Sequence, residues 1–498
     1  MRAAKASWLV GGCPLRSSDM SESVARAGRA YAAYMLEQFG NSEVVVMGLG
    51  LFGGGEAAAR SLAEHGARVL LTDLKDESEL EEALARLEPY LRDGRIRCRL
   101  GGHEIEDFAH ARMVVVNPAV PRPWNNPYLK AARDHGARLI SEIRLALGNT
   151  PASQVIGVTG SAGKSTTSSM LHHALERSGL TPSARLGGNI GGSLLDDPPD
   201  PSASLVIELS SFMLHWLATD ATSVEDRFSP GVAALTNLAG NHLDWHGDLD
   251  HYSISKSAIR ASTPTCETPR FVTLFSAPAA PSPIAALPPW WRIDEQTRTW
   301  QTHMIPIIDA ALRIPVPGEH NRANARLAVL SALAHLEVRG LGDASDPALA
   351  ESITRTLDDF GGLPHRLCRL GVFGGLQCFD DSKSTTPEAT LLALEAFDDA
   401  GRIHLIAGGH DKGSDLSPIA GRTSRLAGIY GIGKTAPQIC AGGGHACGTL
   451  QEAVRKAAGL AREGDILLLS PGCASWDQFA NYEARGAAFK TAIREILG

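Results

Sequence analysis

Gln154-Val-Ile-Gly-Val-Thr159 runs directly into Gly160-Ser-Ala-Gly163-Lys164-Ser165-Thr166-Thr167, and the rest of the chain is read outward from this stretch. The first part is apolar and rich in β-branched side chains, the pattern of a strand buried on both faces. The second is a glycine-rich turn ending in Lys-Ser-Thr. It opens a helical pattern from Ser165 to Arg177, with Met170, Leu171, Ala174 and Leu175 on one face. Strand, glycine turn and helix start together form a phosphate site. Backbone N–H groups point at the anion, Lys164 adds a point charge, and the hydroxyl of Ser165 or Thr166 can reach a magnesium ion. Val158 stands where the strict phosphate-loop pattern has its first glycine. Gly428-Ile-Tyr-Gly-Ile-Gly-Lys-Thr435 matches the spelling better. Its upstream residues, Arg422-Thr-Ser-Arg-Leu-Ala427, are too polar for the required buried strand, so Gly428 to Ile432 reads as the strand itself. Context outweighs spelling, and the first stretch is the nucleotide candidate.

At 498 residues the chain exceeds one ordinary core, and its 44% hydrophobic and 20% charged residues are those of a soluble globular protein. A formal net charge of -8 argues against a general nucleic-acid binder. No apolar run approaches the length of a membrane span. The eight cysteines are scattered without ligand spacing and read as reduced thiols of a cytoplasmic protein. Residues 1–42 read as a short amphipathic helical extension.

Val44-Val-Val-Met47 is a second buried-strand pattern and leads into Gly48-Leu49-Gly50-Leu51-Phe52-Gly53, with Asp73 closing the strand pattern Arg68 to Asp73. This is a GxGxxG between strand and helix. By itself it reads as a dinucleotide fingerprint, with a diphosphate on the helix N-terminus and Asp73 near a ribose or base. A third strand, Met113 to Val116, completes a small sheet domain of three βα units. In the next segment Leu205-Val-Ile207 delivers Glu208, and Val232 to Thr236 delivers Asn237 and then His242-Leu-Asp244. A carboxylate at a strand end beside a phosphate-loop strand can hold magnesium, or can serve as a cap. Pro264 to about Arg313 reads as loops and packing, with Trp290, Trp291 and Trp300. Asn321 and Asn324 open an alanine-rich helix, Ala323 to Leu336, one turn apart, where they can meet a base edge or act as caps. After Gly361-Gly-Leu-Pro-His-Arg366 come strand patterns at Leu376–Asp380, Ile403–Ala407, Ala427–Ile432 and Ile466–Leu469, each but one followed by a polar cluster. The expected fold is α/β in three domains: a small Rossmann-like N-terminal sheet (43–142), a central P-loop ATPase-like sheet (143–360) and a C-terminal Rossmann-like α/β domain (361–498).

Taken in order, GxTGxxGKST, GGNIG (187–191), ELSSF (208–212), NxxxxHLD (237–244), Tyr252 to Lys256, GxHNxxN (318–324), GLPHR (362–366), DSK (381–383) and SPxxASxDQFxxxxxRG (470–486) resemble the Mur ligase family, from about residue 43 to the end. The DSK, GGHDKG and final motifs are most similar to the glutamate-adding member. The resemblance implies an ATP-dependent ligase that phosphorylates a carboxylate of UDP-N-acetylmuramoyl-L-alanine and lets the amine of D-glutamate attack the acyl phosphate, in peptidoglycan synthesis. It implies Lys164, Glu208, His242 and Lys256 as catalytic groups. ATP would meet Gly160, Ser161, Ala162, Gly163, Lys164, Ser165, Thr166, Asn321, Asn324, Arg366 and Asp381. Mg2+ would be held by Ser165, Glu208, His242 and a carbamylated Lys256. Gly48 to Gly53, Asp73 and Asn189 would cradle the UDP-sugar, replacing the dinucleotide. Thr385, Lys412, Ser475 and Tyr482 would take the glutamate. The implied partners are these small molecules, with a monomeric chain, no nucleic acid and no membrane.

The chain also departs from the family pattern. Ser161-Ala162 stands for a frequent Thr-Asn, Asn241 for a usual Asp, and Trp245 for a usual Arg. Ala119 replaces a turn glycine, Ser384-Thr-Thr386 replaces Ala-Thr-Asn, and Leu74 replaces a small polar residue near the uracil. Alternatives are a related ligase taking L-glutamate, a folylpolyglutamate synthase-like ligase, or a NAD-binding Rossmann protein.

Overall fold

Short aliphatic runs become buried parallel strands, and helices follow them wherever the spacing changes from alternating to helical. The computed structural model describes residues 40–498 except 50–52, 149, 197–199, 201, 220–225, 239–241, 264–265, 267–268, 275–292 and 411–412. The expected extension therefore falls almost wholly outside the described residues, as do Trp290, Trp291 and Asn241.

β1 (Glu43–Met47), β2 (Arg68–Thr72), β3 (Ile96–Arg99), β4 (Met113–Val116) and β5 (Arg138–Ser141) form a parallel sheet in the order β3-β2-β1-β4-β5. The sequence pattern gave only three of these. β3 and β5 are the two edges, and β3 carries Arg-Cys-Arg after a single buried Ile96, so no apolar run marks it. The strand order reverses between β1 and β4, the position where open α/β sheets bind ligands. Trp216 from the central segment packs into this sheet's core with Val45, Val114 and Leu139.

β6 (Val155–Thr159), β7 (Ala184–Gly188), β8 (Ser204–Glu208), β9 (Val232–Leu235) and β10 (Arg270–Thr273) form the second sheet, in the order β10-β9-β6-β8-β7. Every residue of β6, β8 and β9 is buried. The third sheet contains β11 (Cys368–Phe373), β12 (Leu376–Asp380), β13 (Ile403–Gly408), β14 (Gly428–Ile432), β15 (His445–Gly448) and β16 (Ile466–Leu469), in the order β11-β12-β16-β13-β14-β15. Only the β11–β12 pairing is antiparallel. The glycine-rich Gly428–Ile432 is a strand, as its context required.

Six helices matter below: α1 (Gly54–Glu64), α2 (Lys164–Ser178), α3 (Leu249–Ser257), α4 (Glu295–Ala311), α5 (Glu319–Val338) and α6 (Tyr482–Leu497). α4 lies inside the stretch expected to be irregular. Asp294 caps it by accepting from Thr297 N–H at 2.7 Å, and Trp300, Met304, Ile308 and Ala311 bury one face. Pro306 inside the helix hid that period, since proline removes one ladder bond and ordinarily breaks a helix. Among the described residues, no helix is long and apolar enough to cross a membrane. By contact density the chain divides into two compact units. One holds Met1–Thr159, Thr181–Ala233 and Gly240–Arg270, and the other holds Gly160–Leu180, Ala234–Ala239 and Phe271–Gly498.

Candidate active site

The phosphate loop joins β6 to α2, and its glycines are required by close neighbours. Gly160 has φ +147° and a Cβ there would lie 1.9 Å from Thr236 Oγ1; Gly163 has φ +78° and its Cβ would lie 2.6 Å from Asn324 Oδ1. Asn237 fixes the turn. Its carbonyl accepts from Ser161 N–H (3.1 Å), and its side chain bonds both N–H (2.9 Å) and C=O (3.1 Å) of Ala162. Thr236 Oγ1 also donates to Ala162 C=O. The missing side-chain amide at Ala162 thus leaves a loop that Asn237 holds through its backbone. Lys164 Nζ donates to the carbonyls of Gly160 (2.9 Å) and Ser161 (3.2 Å), which keeps the charge over the loop.

Beside this loop is a cavity of about 400 Å³ lined by Ala162, Gly163, Thr166, Asn321, Asn324, Arg366, Asp381 and Lys383, among others. Residues far apart in the chain share this one wall, and all of those named except Lys383 were expected to meet ATP. Asn324 accepts from Thr167 Oγ1 at 3.3 Å, while buried Asn321 donates to Pro317 C=O at 2.7 Å and so also secures the start of α5. Arg366 is held from both sides. His365 and Leu367 have φ +62° and +46°, a conformation non-glycine residues seldom adopt. Asp380 Oδ2 pairs with His365 Nδ1 (2.7 Å), and Asp381 Oδ1 accepts from Leu367 N–H (3.0 Å). Burial pushes the Asp381 carboxyl up to about 6, against hydrogen bonds from Ser384 and Ser470. Asp381 therefore anchors the wall that presents Arg366.

The expected metal-holding residues Glu208, His242 and Lys256 lie on separate elements of the other unit. Glu208 is 1% exposed; its Oε1 accepts from Asn189 Nδ2 at 2.9 Å, and its Oε2 has no hydrogen-bond partner among the described residues. A buried, unpaired carboxylate oxygen is a fitting ligand for a hard divalent cation. Asn189, expected on the sugar–peptide, has its side chain on Glu208. Lys256, on α3, is 2% exposed; its Nζ donates to Thr159 Oγ1 (3.3 Å) and sits 5.0 Å from the Tyr252 ring centroid. Thr159 in turn donates to Leu209 C=O at 2.7 Å, which places the Lys256 amine at the adjoining ends of β6 and β8. His242 is exposed at φ +53°, its ring 5.0 Å from Phe212. Trp245 stacks on Phe212 at 4.6 Å and shields His246, whose pKa burial pushes down to about 3. No group of three or more His, Cys, Asp and Glu among the described residues could hold a metal unaided.

At the first sheet, Asp73 is buried and its carboxylate closes the glycine turn, accepting from the N–H groups of Leu49 (2.8 Å) and Lys75 (2.9 Å). Gly48 and Gly53 take φ +89° and +85°. Gly55, which the motif did not single out, is the closest fit, because its Cβ would lie 2.2 Å from Gly48 O. Gly50, Leu51 and Phe52 lie outside the described residues, as does Lys412.

Ser475 is buried after β16, and Thr385 follows the DSK turn half-buried. Tyr482 accepts from Lys383 Nζ at 3.1 Å, with the ammonium 4.9 Å from its ring centroid. Lys383, Arg485 and Gly486 were not singled out from the sequence, although the motifs contain all three. Arg485 is 1% exposed and donates to Ser382 Oγ (3.0 Å), Ser382 C=O (2.8 Å) and Cys473 C=O (3.0 Å). A Cβ at Gly486 would lie 2.1 Å from His365 Nδ1.

Residues 158–280 match the Mur ligase middle domain, and residues 365–473 match the Mur ligase, glutamate ligase domain. A UDP-N-acetylmuramoylalanine–D-glutamate ligase of Anaeromyxobacter dehalogenans is 36% identical over 488 residues, covering 90% of this chain and 96% of that protein. A protein of the same name from Acidobacterium capsulatum is 34% identical over 482 residues (91% and 96% covered). Another from Streptococcus agalactiae is 33% identical over 485 residues (92% and 98% covered).

Proposed function

The chain belongs to the Mur ligase family, and from that premise we propose that it is an ATP-dependent ligase joining D-glutamate to UDP-N-acetylmuramoyl-L-alanine in peptidoglycan precursor synthesis. The observation that carries this reading is the cavity beside the phosphate loop, where Asn321, Asn324, Arg366 and Asp381 share a wall with Ala162 to Thr166. An acid and an amine do not condense in water, so ATP first phosphorylates the substrate carboxylate. The amine of glutamate then attacks that carbon, and phosphate leaves through a tetrahedral intermediate. The protein's share is positioning and charge neutralisation. Lys164 and the N–H groups of Gly160 to Ser165 hold the ATP phosphates, Asn321 and Asn324 face the base, and Arg366 reaches the nucleotide from the C-terminal domain.

Ser165, Glu208, His242 and Lys256 as its carbamate would hold Mg2+, which supplies neutralisation of phosphate charge when bound; the unpaired Glu208 Oε2 supports this assignment. Gly48 to Gly53, Asp73 and Asn189 serve the UDP-sugar, with Asn189 acting through Glu208. Thr385, Lys412, Ser475 and Tyr482 serve the two carboxylates of glutamate. In this reading the enzyme acts as a cytoplasmic monomer on small molecules, in domains 43–142, 143–360 and 361–498.

The deciding experiment is ATP-dependent phosphate release with UDP-N-acetylmuramoyl-L-alanine, comparing D- with L-glutamate. Release with D-glutamate alone is the expected result. Release with L-glutamate alone would move the enzyme to the stereochemical variant, and release with neither would sink the reading.

A further inference from the structure

In the third sheet the turns after β13, β14 and β16 meet at one carboxylate. β14 is followed by Gly433-Lys434-Thr435, the tail of the better-spelled phosphate-loop pattern, which the nucleotide site leaves unused. Asp477, two residues beyond Ser475, accepts from Lys434 N–H through Oδ2 at 2.9 Å. Gly433 has φ +66°, and a Cβ there would lie 2.2 Å from that oxygen and 2.8 Å from Gly409 Cα. Thr435 completes the contact, its Oγ1 accepting from Gly409 N–H at 2.9 Å. The turn carrying Ser475 is itself fixed, since Ser475 C=O accepts from the N–H groups of Gln478 and Phe479. Asp477 is thus held in place from both ends of the cluster.

Its other oxygen is not used. Oδ1 is shielded from water and has no hydrogen-bond partner among the described residues. The guanidinium that senses this carboxylate, Arg485, has its N–H groups on Ser382 and Cys473. A buried acceptor without a donor carries a desolvation cost that an arriving donor removes, and a cationic donor removes most. Of the organic reactants in the ligase reading, the amino acid alone has a cationic group. Its carboxylates suit a lysine and hydroxyls; its ammonium suits a carboxylate.

We propose that Asp477 receives the ammonium group of the incoming amino acid through Oδ1, beside Ser475. This rests on the ligase reading above. It makes Asp477 a residue that selects an amine-bearing dicarboxylate over a plain one, and it gives the unused Gly433–Thr435 turn a task, the orientation of Asp477.

The test uses the full chain with Asp477→Asn, which keeps an acceptor for Lys434 N–H and removes the charge. D-glutamate is compared with glutarate, which has the same carbon chain and carboxylates but no amine. The KM for D-glutamate should rise about tenfold or more, while the inhibition constant of glutarate and the KM for ATP stay within about twofold. Equal weakening of glutamate and glutarate would mean that Asp477 only shapes the turn, and an unchanged KM for glutamate would equally overturn the proposal. The wild type gives a check that no folding defect can blur: glutarate binding as tightly as D-glutamate refutes the ammonium contact. Wild-type protein that never turns over D-glutamate refutes the ligase reading instead, so the two failures are separate results.

Discussion

Glu142 follows directly on β5, and burial pushes its carboxyl from an ordinary 4.5 to about 7. The Ser193 hydroxyl donates to it, Gly54 at the start of α1 lies beside it, and Asp196, paired with Arg60, adds repulsion. Because the folded value is raised for an acid, the neutral form is the one that stabilises. That contribution is complete below about pH 4.5 and is lost as pH rises toward 7. Thermal melts should therefore show the wild type losing stability across this window more steeply than Glu142→Gln. Parallel profiles would mean the carboxyl titrates as an ordinary one. Nothing in the spacing around Glu142 marks it, because the groups that bury it come from α1 and from the loop after β7. Lys164 was legible for the opposite reason: the carbonyls it meets, those of Gly160 and Ser161, belong to the same turn. The hold of Asn237 on the phosphate loop and the role of Arg485 stand with Glu142, since each acts on residues some seventy to a hundred positions away.

α6 is the element that binds the C-terminal motifs into one surface. Arg485 secures the DSK turn, and Gly486 admits the His365–Asp380 pair that sets Arg366. Gly486→Ala would place a methyl group where His365 Nδ1 now sits. The expected cost is about 1–3 kcal/mol of stability, with weaker ATP binding as Arg366 shifts. Denaturant unfolding and nucleotide titration would measure both, and a variant matching the wild type in each would break the link between α6 and Arg366. The sequence marked this helix only as Arg-Gly at the end of a motif. The central strands were easier to read, because burial on both faces leaves a mostly apolar run in β1, β4, β6, β8 and β9. Edge strands such as β3 alternate with charge and give no such mark, and α4 was obscured by its internal proline.

At the scale of the whole molecule, the three sheets differ in how far each supplies its own core. Both faces of the third sheet are covered by residues between Leu367 and Leu497, with Leu405, Ile429 and Leu468 on one side and Ile406, Leu467 and Phe489 on the other. The first sheet borrows Trp216 from the central segment. A fragment of residues 361–498 should therefore melt cooperatively on its own, whereas residues 43–142 should not, having lost a tryptophan from their core. Circular dichroism melts of the two fragments decide this, and two equally cooperative melts would show that Trp216 is dispensable.

The packing of α2 on α5, sealed by Gly163 against Asn324 and by Thr167 on the same side chain, also sets an order of events during synthesis. The phosphate loop leaves the ribosome early, but the helix that closes over it is translated much later. At roughly 5–20 residues per second, on the order of ten seconds or more separate the two. Throughout that interval the nascent chain carries a glycine-rich loop and a helix without its α5 partner, which gives a chaperone an opportunity at α2.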